Sequence, residues 1–435
     1  MGGYMLVIVF IGIPLTLLLL GLPIYIALLG ATMLGSWILL PAGNLSSLFS
    51  GVHSSLVGGV ELNPLLAVPL FIFAGEVMGR GGLARRIVNW VLSIVGGLRG
   101  AMGLTTVGSA ELFGAMSGSS IGCIAAIGHM LLDPMLKSGY NRTFACSLLA
   151  SSGAIAVILP PSISMIIYGV TAQQSIPDLF LAGIVPGIMV GGAIAMLLLG
   201  HAYAKKLPRA GGRINVMDVV RTTREAIWAL LAPVVILGGI YGGFATPTEA
   251  AGVAVVYAVV ISVFVYKEIG WRDIWHVALS SSLLVSQIMI IVGVAGAYAW
   301  LLTTTGFPSL VVEIIQSLHL NPFELLMVIN LLLLLIGSVL EPPAAILILT
   351  PLLAPVVSEA GINLIHFGIV MTVNLAIGLF IPPLGLNILA SHTIFKISVG
   401  RLSVGVLPFL LTYLFCLIVI TYIPQIVLAP LSWIQ

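Results

Sequence analysis

Apolar runs of roughly 17 to 25 residues recur from one end of this sequence to the other, each long enough to cross about 30 Å of hydrocarbon. Lipid offers no partner to backbone N–H and C=O groups, so such segments must be helices. Only 7% of the 435 residues are charged and 60% are hydrophobic, whereas soluble domains carry roughly 25% charged residues. A soluble fold is excluded, and the class expected is an all-α polytopic membrane protein. A net charge of +2 leaves no electrostatic footprint for nucleic acid. Cys123, Cys146 and Cys416 all sit in apolar segments without a Cys-x-x-Cys spacing, and they read as core packing. Met1-Gly2-Gly3-Tyr4 lacks the basic region of a signal peptide, so the first span is expected to be retained.

The sixteen basic residues fall in five groups: Arg80 to Arg99, Lys137 with Arg142, Lys205 to Arg224, Lys267 with Arg272, and Lys396 with Arg401. Placing all of them in the cytoplasm, as the positive-inside rule prefers, forces two segments to return to the face they entered. Residues 100 to 136 lie between basic groups and carry the break Ser117-Gly118-Ser119-Ser120, which predicts a re-entrant helical hairpin entering from the cytoplasm. Residues 324 to 357 carry the break Gly337-Ser338-Val339-Leu340-Glu341-Pro342-Pro343. The flanking stretches 306 to 323 and 358 to 363, read as loops, hold no Arg or Lys, so this hairpin should enter from outside. The segment Arg80 to Arg99 reads as an arm helix lying along the interface, with a flexible loop as the alternative.

Shifting the second half back by 222 positions superposes Pro382-Pro383 on Pro160-Pro161, Gly361 and Asn363 on Gly139 and Asn141, and Gly405 and Pro408 on Gly183 and Pro186. The same shift sets Glu341 on Ser119. Because the two hairpins enter from opposite faces, the repeats are inverted, a construction that places a site at the bilayer midplane. Residues 1 to 200 form the first repeat, 201 to 225 a cytoplasmic linker and 226 to 435 the second repeat in this reading.

Each Pro-Pro pair removes backbone donors, and proline suits the first turn of a new helix, so the spans 143 to 172 and 364 to 394 should both be broken. Non-helical backbone at that depth must be buried in protein or line a cavity, which makes the two breaks partners of the two hairpin tips. Helix ends expose carbonyls able to hold a cation, and helix starts expose N–H groups able to hold a carboxylate. Ser117, Ser119 and Ser120 add hydroxyls and Gly118 permits close backbone approach, although small residues also serve helix packing. Glu341 either stands near a cation or caps the helix that begins at Pro342. Glu76 and Glu111 are weaker candidates that fit the headgroup level equally well. The seven histidines show no i, i+4 pairing, and no nucleotide motif is present, so any energy for transport must come from an ion gradient or a partner.

The strings Asn63-Pro64-Leu65-Leu66-Ala67-Val68-Pro69-Leu70-Phe71-Ile72-Phe73-Ala74-Gly75, Gly81-Gly82-Leu83-Ala84, Ser117-Gly118-Ser119-Ser120, Leu159-Pro160-Pro161-Ser162-Ile163, Ala245-Thr246-Pro247-Thr248-Glu249-Ala250-Ala251 and Ile381-Pro382-Pro383-Leu384-Gly385 together resemble the large membrane subunit of tripartite ATP-independent periplasmic (TRAP) transporters, the DctM-like family. The resemblance runs from about Leu62 to Leu410. It implies an elevator-type, sodium-driven importer of organic acids in the bacterial inner membrane, fed by a periplasmic substrate-binding protein and partnered by a small four-helix membrane subunit, expected here as a separate polypeptide.

Carried onto matching positions, it implies one Na⁺ site at Ser117, Gly118 and Ser119 with backbone from Gly153 to Pro160. A second would use Gly337, Ser338 and Glu341 with backbone from Gly378 to Ile381. Substrate-binding residues are expected at Ser119, Ser120, Pro161, Ser162, Pro342, Pro383 and Asn387. The family often has a hydroxyl residue before the second Pro-Pro; Ile381 stands there, which leaves that site to carbonyls. The alternatives are a self-sufficient sodium-coupled carboxylate transporter and a non-transporting scaffold or intramembrane enzyme, the last lacking any nucleophile–base pair in the sequence.

The charge map predicts both chain ends outside and residues 201 to 225 inside. In intact cells, a cysteine placed by Arg209→Cys should resist a membrane-impermeant thiol reagent and react only after the membrane is opened. Labelling from outside would overturn the orientation and, with it, the inversion of the repeats.

Overall fold

The computed structural model describes the backbone of residues 2–40, 45–209 and 215–433, and no strand occurs among them. Residues 210–214, in the middle of the expected linker, lie outside the described set. Among the described residues, five helices are long and apolar enough to span a membrane, or up to eight if each bent pair counts as one span.

The shift of 222 carries nearly every element of the second half onto one of the first. Pro342–Glu359 falls on Ser120–Lys137, Leu364–Gly378 on Arg142–Gly153 and the start of Ile155–Ile158, and Leu386–Phe395 on Ile163–Thr171. Asn141 and Asn363, equivalent by that shift, both cap their helices, accepting from the amides of Thr143 (2.8 Å) and Ile365 (2.8 Å). A side-chain cap supplies one of the orphan donors of a helix start, and the same device begins the broken helix in both repeats.

The first hairpin is Ala101–Ser117 returning as Ser120–Lys137, and the second is Pro322–Gly337 returning as Pro342–Glu359. The first turn-back rests on Gly118 at φ 58, whose amide donates to Gly114 (2.9 Å); glycine takes this left-handed conformation without a Cβ penalty. The first broken helix runs over Arg142–Gly153 and Ile155–Ile158, stops at Leu159-Pro160-Pro161-Ser162 and resumes at Ile163–Thr171. Its two parts are bent by 41°. The second stops after Gly378 and resumes at Leu386. The Pro160-Pro161 and Pro382-Pro383 bonds at these two breaks are both cis.

The two repeats lace into each other. Tyr168, in the resumed part of the first broken helix, donates to the carbonyl of Leu364 at the start of the second (2.7 Å), and Arg142, at the start of the first, donates to the carbonyl of Phe395 at the end of the second (2.8 Å). Around these elements lies one continuous apolar core that includes Phe113, Phe180, Phe367, Phe380 and Tyr413.

Arg80 to Arg99 is mainly helix, Leu83–Val95, following the span Ala67–Arg80. Its buried face is Leu83, Ala84, Ile87, Val88 and Val91. Arg85 and Arg86 both pair with Glu268, and the Arg86 guanidinium lies 3.6 Å over the Tyr266 ring. Farther along, Trp90 donates to Thr223 (2.9 Å) and Ser93 bonds Thr222 (2.8 Å) on the helix Val216–Tyr241.

One expectation fails here. The stretch 306 to 323, read as a loop, contains the helix Phe307–Ser317, which the shift of 222 matches to the arm Leu83–Val95. Its apolar face packs on the returning limb Pro342–Glu359, and that packing rather than charge holds it helical.

Hairpins and broken helices meet at positions with no room for a side chain. A Cβ on Gly378 would stand 2.4 Å from the backbone carbon and oxygen of Gly337, and one on Gly114 would stand 2.7 Å from Cα of Ala156. Backbone cannot swing aside as a side chain can. Gly378→Ala should therefore cost about 1–3 kcal/mol through overpacking, read as a lower thermal midpoint of the purified protein. Gly192→Ala, where nothing lies within 4 Å of the new Cβ, should leave the midpoint in place. Equal midpoints for the two variants would remove the tight crossing from the account.

Candidate functional site

A cavity of about 220 Å³ is lined by Gly118, Ser119, Ser120, Ile121 and Gly122 from the first tip, Glu341, Pro342 and Pro343 from the second, Val157, Ile163 and Ser164 from the first broken helix, and Leu379 and Leu386 from the second. All four breaks thus converge on one space, and four helices begin at its wall: those starting at Ser120, Ile163, Pro342 and Leu386. Helix starts present unpaired N–H groups and the positive end of the helix dipole. Leu284, Gln287 and Ile288 of the long helix Trp271–Thr304 and Ile72 and Glu76 of Ala67–Arg80 close the remaining side.

The cavity shares Ile72, Glu76, Ser119, Gly122, Ala125 and Leu284 with a wider vestibule of about 520 Å³. The vestibule reaches Arg80, Arg85 and Glu268, on the face that carries the basic groups, and Ser117 and Phe113 line it as well.

The expected site residues divide into those that face the cavity and those that build its wall. Ser119, Ser120, Gly118, Glu341 and Pro342 line it. Ser119 is the N-cap of its helix and accepts from Gly122 N (3.2 Å). Ser117 is buried, and its hydroxyl has no hydrogen-bond partner. Gly118 packs at the first break: a Cβ there would meet the Pro161 carbonyl oxygen at 3.0 Å. Ser162 is fully buried and turns its hydroxyl back to the carbonyl of Val157. Gly153 packs under the first tip, where a Cβ would stand 3.0 Å from the carbonyl oxygen of Ser120.

On the second side, Gly337 and Gly378 are the crossing described above, and the Ser338 hydroxyl donates to Leu335 (2.7 Å). Pro160 is buried, Ile381 is half-buried and Pro383 is exposed, and none of the three lines the cavity. Glu341 occupies the N-cap position of Pro342–Glu359, yet its side chain makes no capping bond. The two residues after it are prolines, without an N–H to offer. Of its two readings, the capping one is not realised, and the carboxylate stands at the cavity.

Asn387 ties the halves together behind the cavity. Fully buried, it accepts from the Ser120 hydroxyl (2.9 Å) and donates to the Ala150 carbonyl (2.9 Å). One amide thereby fixes the first hairpin's returning limb and both broken helices. Glu76, a weaker candidate from the sequence, lines the site, and so do Gln287 and Ser164, which the sequence reading had not singled out. The signal for Gln287 was a lone amide within the apolar helix Trp271–Thr304, since polar groups at membrane depth favour cavities over lipid.

Inverted repeats, paired hairpins and paired broken helices around one cavity define a helical membrane transporter. The family described as "Tripartite ATP-independent periplasmic transporter, DctM component" matches residues 10–426. The C4-dicarboxylate TRAP transporter large permease protein DctM of Pseudomonas aeruginosa is 39% identical over 370 residues, spanning 85% of this chain and 86% of that protein. The 2,3-diketo-L-gulonate TRAP transporter large permease protein YiaN of Escherichia coli is 37% identical over 383 residues, spanning 88% of this chain and 89% of that one. The chain belongs to the DctM component family of tripartite ATP-independent periplasmic transporters. Its fold is also that of the Alcanivorax borkumensis YdaH transporter, with a TM-score of 0.67 across 97% of this chain and 99% of that one at 16% identity.

Asn387→Leu removes both of its bonds and leaves the buried Ala150 carbonyl unpaired, a loss of about 1–3 kcal/mol. Ser120→Ala removes one. Thermal unfolding of the two single variants and the double variant should show the effects to be non-additive by at least about 0.5 kcal/mol. Strict additivity would mean that the Ser120–Asn387 bond does not join the hairpin to the second broken helix.

Proposed function

We propose that this chain is the large permease subunit of a sodium-driven transporter that imports an organic acid across the bacterial inner membrane. The substrate would arrive on a periplasmic binding protein, and a small four-helix membrane subunit would complete the assembly. The observation that carries the reading is the cavity with four helix starts in its wall, because converging positive dipole ends, with the N–H groups left free at those starts, stabilise a carboxylate. The names of the relatives, C4-dicarboxylate and 2,3-diketo-L-gulonate permeases, point to the same class of cargo. Na⁺ fits the other half of the chemistry: the carbonyl ends of Ala101–Ser117 and Pro322–Gly337, the unpartnered Ser117 hydroxyl and the Glu341 carboxylate are hard oxygen donors.

In this reading the hairpins and broken helices move as one body against the scaffold. The tight crossings at Gly114 and Gly378 and the Asn387 bonds hold that body together. Trp271–Thr304 and Ala67–Arg80 form the wall it slides past, and the vestibule toward the basic face corresponds to the inward-open end of the stroke.

Uptake into proteoliposomes carrying both membrane subunits and a substrate-loaded binding protein should require an inward sodium gradient. Ser119→Ala and Glu341→Gln should each raise the sodium concentration for half-maximal uptake about fivefold, the loss of roughly 1 kcal/mol of ligand interaction. Undiminished uptake without sodium, or with ATP as sole driver, would sink the sodium reading. Uptake by this chain without partners would instead identify a self-sufficient carrier.

A further inference from the structure

Glu111 lies on the entering limb of the first hairpin, six residues before Ser117 at its end. At 1.5 Å per residue it stands about 9 Å from the tip along the axis. A tip at the midplane keeps that depth inside hydrocarbon, whose half-thickness is about 15 Å, rather than at the headgroups.

The side chain is half-buried, and its Oε1 is enclosed without a hydrogen-bond partner. This oxygen fits only because position 191 in the helix Ile176–Ala204 is glycine: a Cβ on Gly191 would stand 1.6 Å from it. No cation pairs with it among the described residues. Of the basic residues on neighbouring elements, Arg80 pairs with Glu76, Arg85 and Arg86 with Glu268, and Arg221 with Asp218. The titratable group facing it is the neutral phenol of Tyr413 on Leu407–Tyr422, beside which lie Cys416 of the same helix and Cys123 of Ser120–Lys137. Tyr413 is engaged with the Ser151 carbonyl (2.7 Å), and the Cys123 thiol faces the Ala110 carbonyl (3.9 Å). An unpaired carboxylate in hydrocarbon is among the costliest groups to bury, and the neutral acid is the form such a site accepts.

We propose that Glu111 is a proton-binding site of the moving element, and that the hairpin makes its stroke only with this carboxyl protonated. The inference rests on the reading that the hairpins move. The proton comes from bulk water when the limb reaches an aqueous boundary and stays on the carboxyl while the limb crosses lipid. Uptake then depends on the protonated fraction, because the population competent to move scales with it.

The test uses the full chain with its partner subunits in proteoliposomes. Infrared spectra of the substrate-free protein should contain a protonated-carboxyl C=O band that is lost in Glu111→Gln, kept in Glu341→Gln and titrated away as pH rises. Sodium-driven uptake by the wild type should fall about tenfold per pH unit on the alkaline side of that titration. In Glu111→Gln, whose amide mimics the neutral acid, the profile should be flat. An unchanged pH profile in Glu111→Gln, or no band lost with it, would overturn the proposal. Should Glu111→Gln fail to insert, Glu111→Asp must shift the band; an unshifted band overturns the proposal equally. Sodium dependence in the same vesicles reports on the transport reading separately: its absence removes that reading while the infrared band still decides the fate of Glu111.

Discussion

Helices that end in the middle of a bilayer expose backbone groups that lipid cannot satisfy, and the rest of this structure follows from where those groups go. Some are satisfied locally: Gly118 N donates to Gly114, Gly122 N to the Ser119 hydroxyl, and Asn387 N to the Leu379 carbonyl (2.7 Å). Others are removed, since Pro160, Pro161, Pro342, Pro343, Pro382 and Pro383 bring no N–H to a break. The remainder face one another across a shared space. The cavity is thus not added to the fold; it is where four interrupted helices deposit their unsatisfied ends, and burying those ends requires the hairpins and broken helices to stay packed as a unit.

The two repeats solve that problem with the same skeleton and different chemistry. Asn141 and Asn363 start the broken helices alike, and Tyr168 and Arg142 tie the start of each to the end of the other. The crossings also correspond: the shift of 222 brings Gly378 onto Ala156 and Gly337 onto position 115, next to Gly114. At the tips the likeness ends. A Gly-Ser turn with a capping hydroxyl stands opposite a Glu-Pro-Pro turn with a free carboxylate.

The breaks were legible in the sequence because Gly, Pro and Ser interrupt helices and the Gly and Pro positions recur at one offset, which carries position even in a chain rich in apolar residues. The arm Leu83–Val95 was legible through Arg85 and Arg86. Its counterpart Phe307–Ser317 was not, because Glu313 is its only charged residue and no basic residue marks the interface. Glu111 stayed a weaker candidate for a related reason: its position in the hairpin depends on which residues turn the chain, and its enclosure depends on Gly191, 80 positions away in the sequence. The role of Asn387 was hidden in the same way, since its partners Ser120 and Ala150 belong to the other repeat. Punctuation is local and can be read; which side chain completes which backbone across the repeat interface cannot.

The unequal tips bear on why a transporter of the proposed kind would couple cargo to a cation. Ser119 spends one lone pair on its own helix start, whereas Glu341 makes no capping bond and its carboxyl group stands at the cavity. An organic anion drawn in by four helix starts would enter the same space of about 220 Å³ as that carboxylate. Two like charges about 6 Å apart at an effective dielectric of ~20 repel by about 3 kcal/mol, enough to offset much of what the helix dipoles contribute at typically 0.3–1 kcal/mol each. A cation held by Glu341 and the neighbouring carbonyls reverses the sign of that interaction. Anion binding without the cation is then weak, and by linkage cation binding is strengthened by the anion to the same degree. In the proposed transporter the coupling would arise from placing an uncapped carboxylate at one of four otherwise positive helix starts.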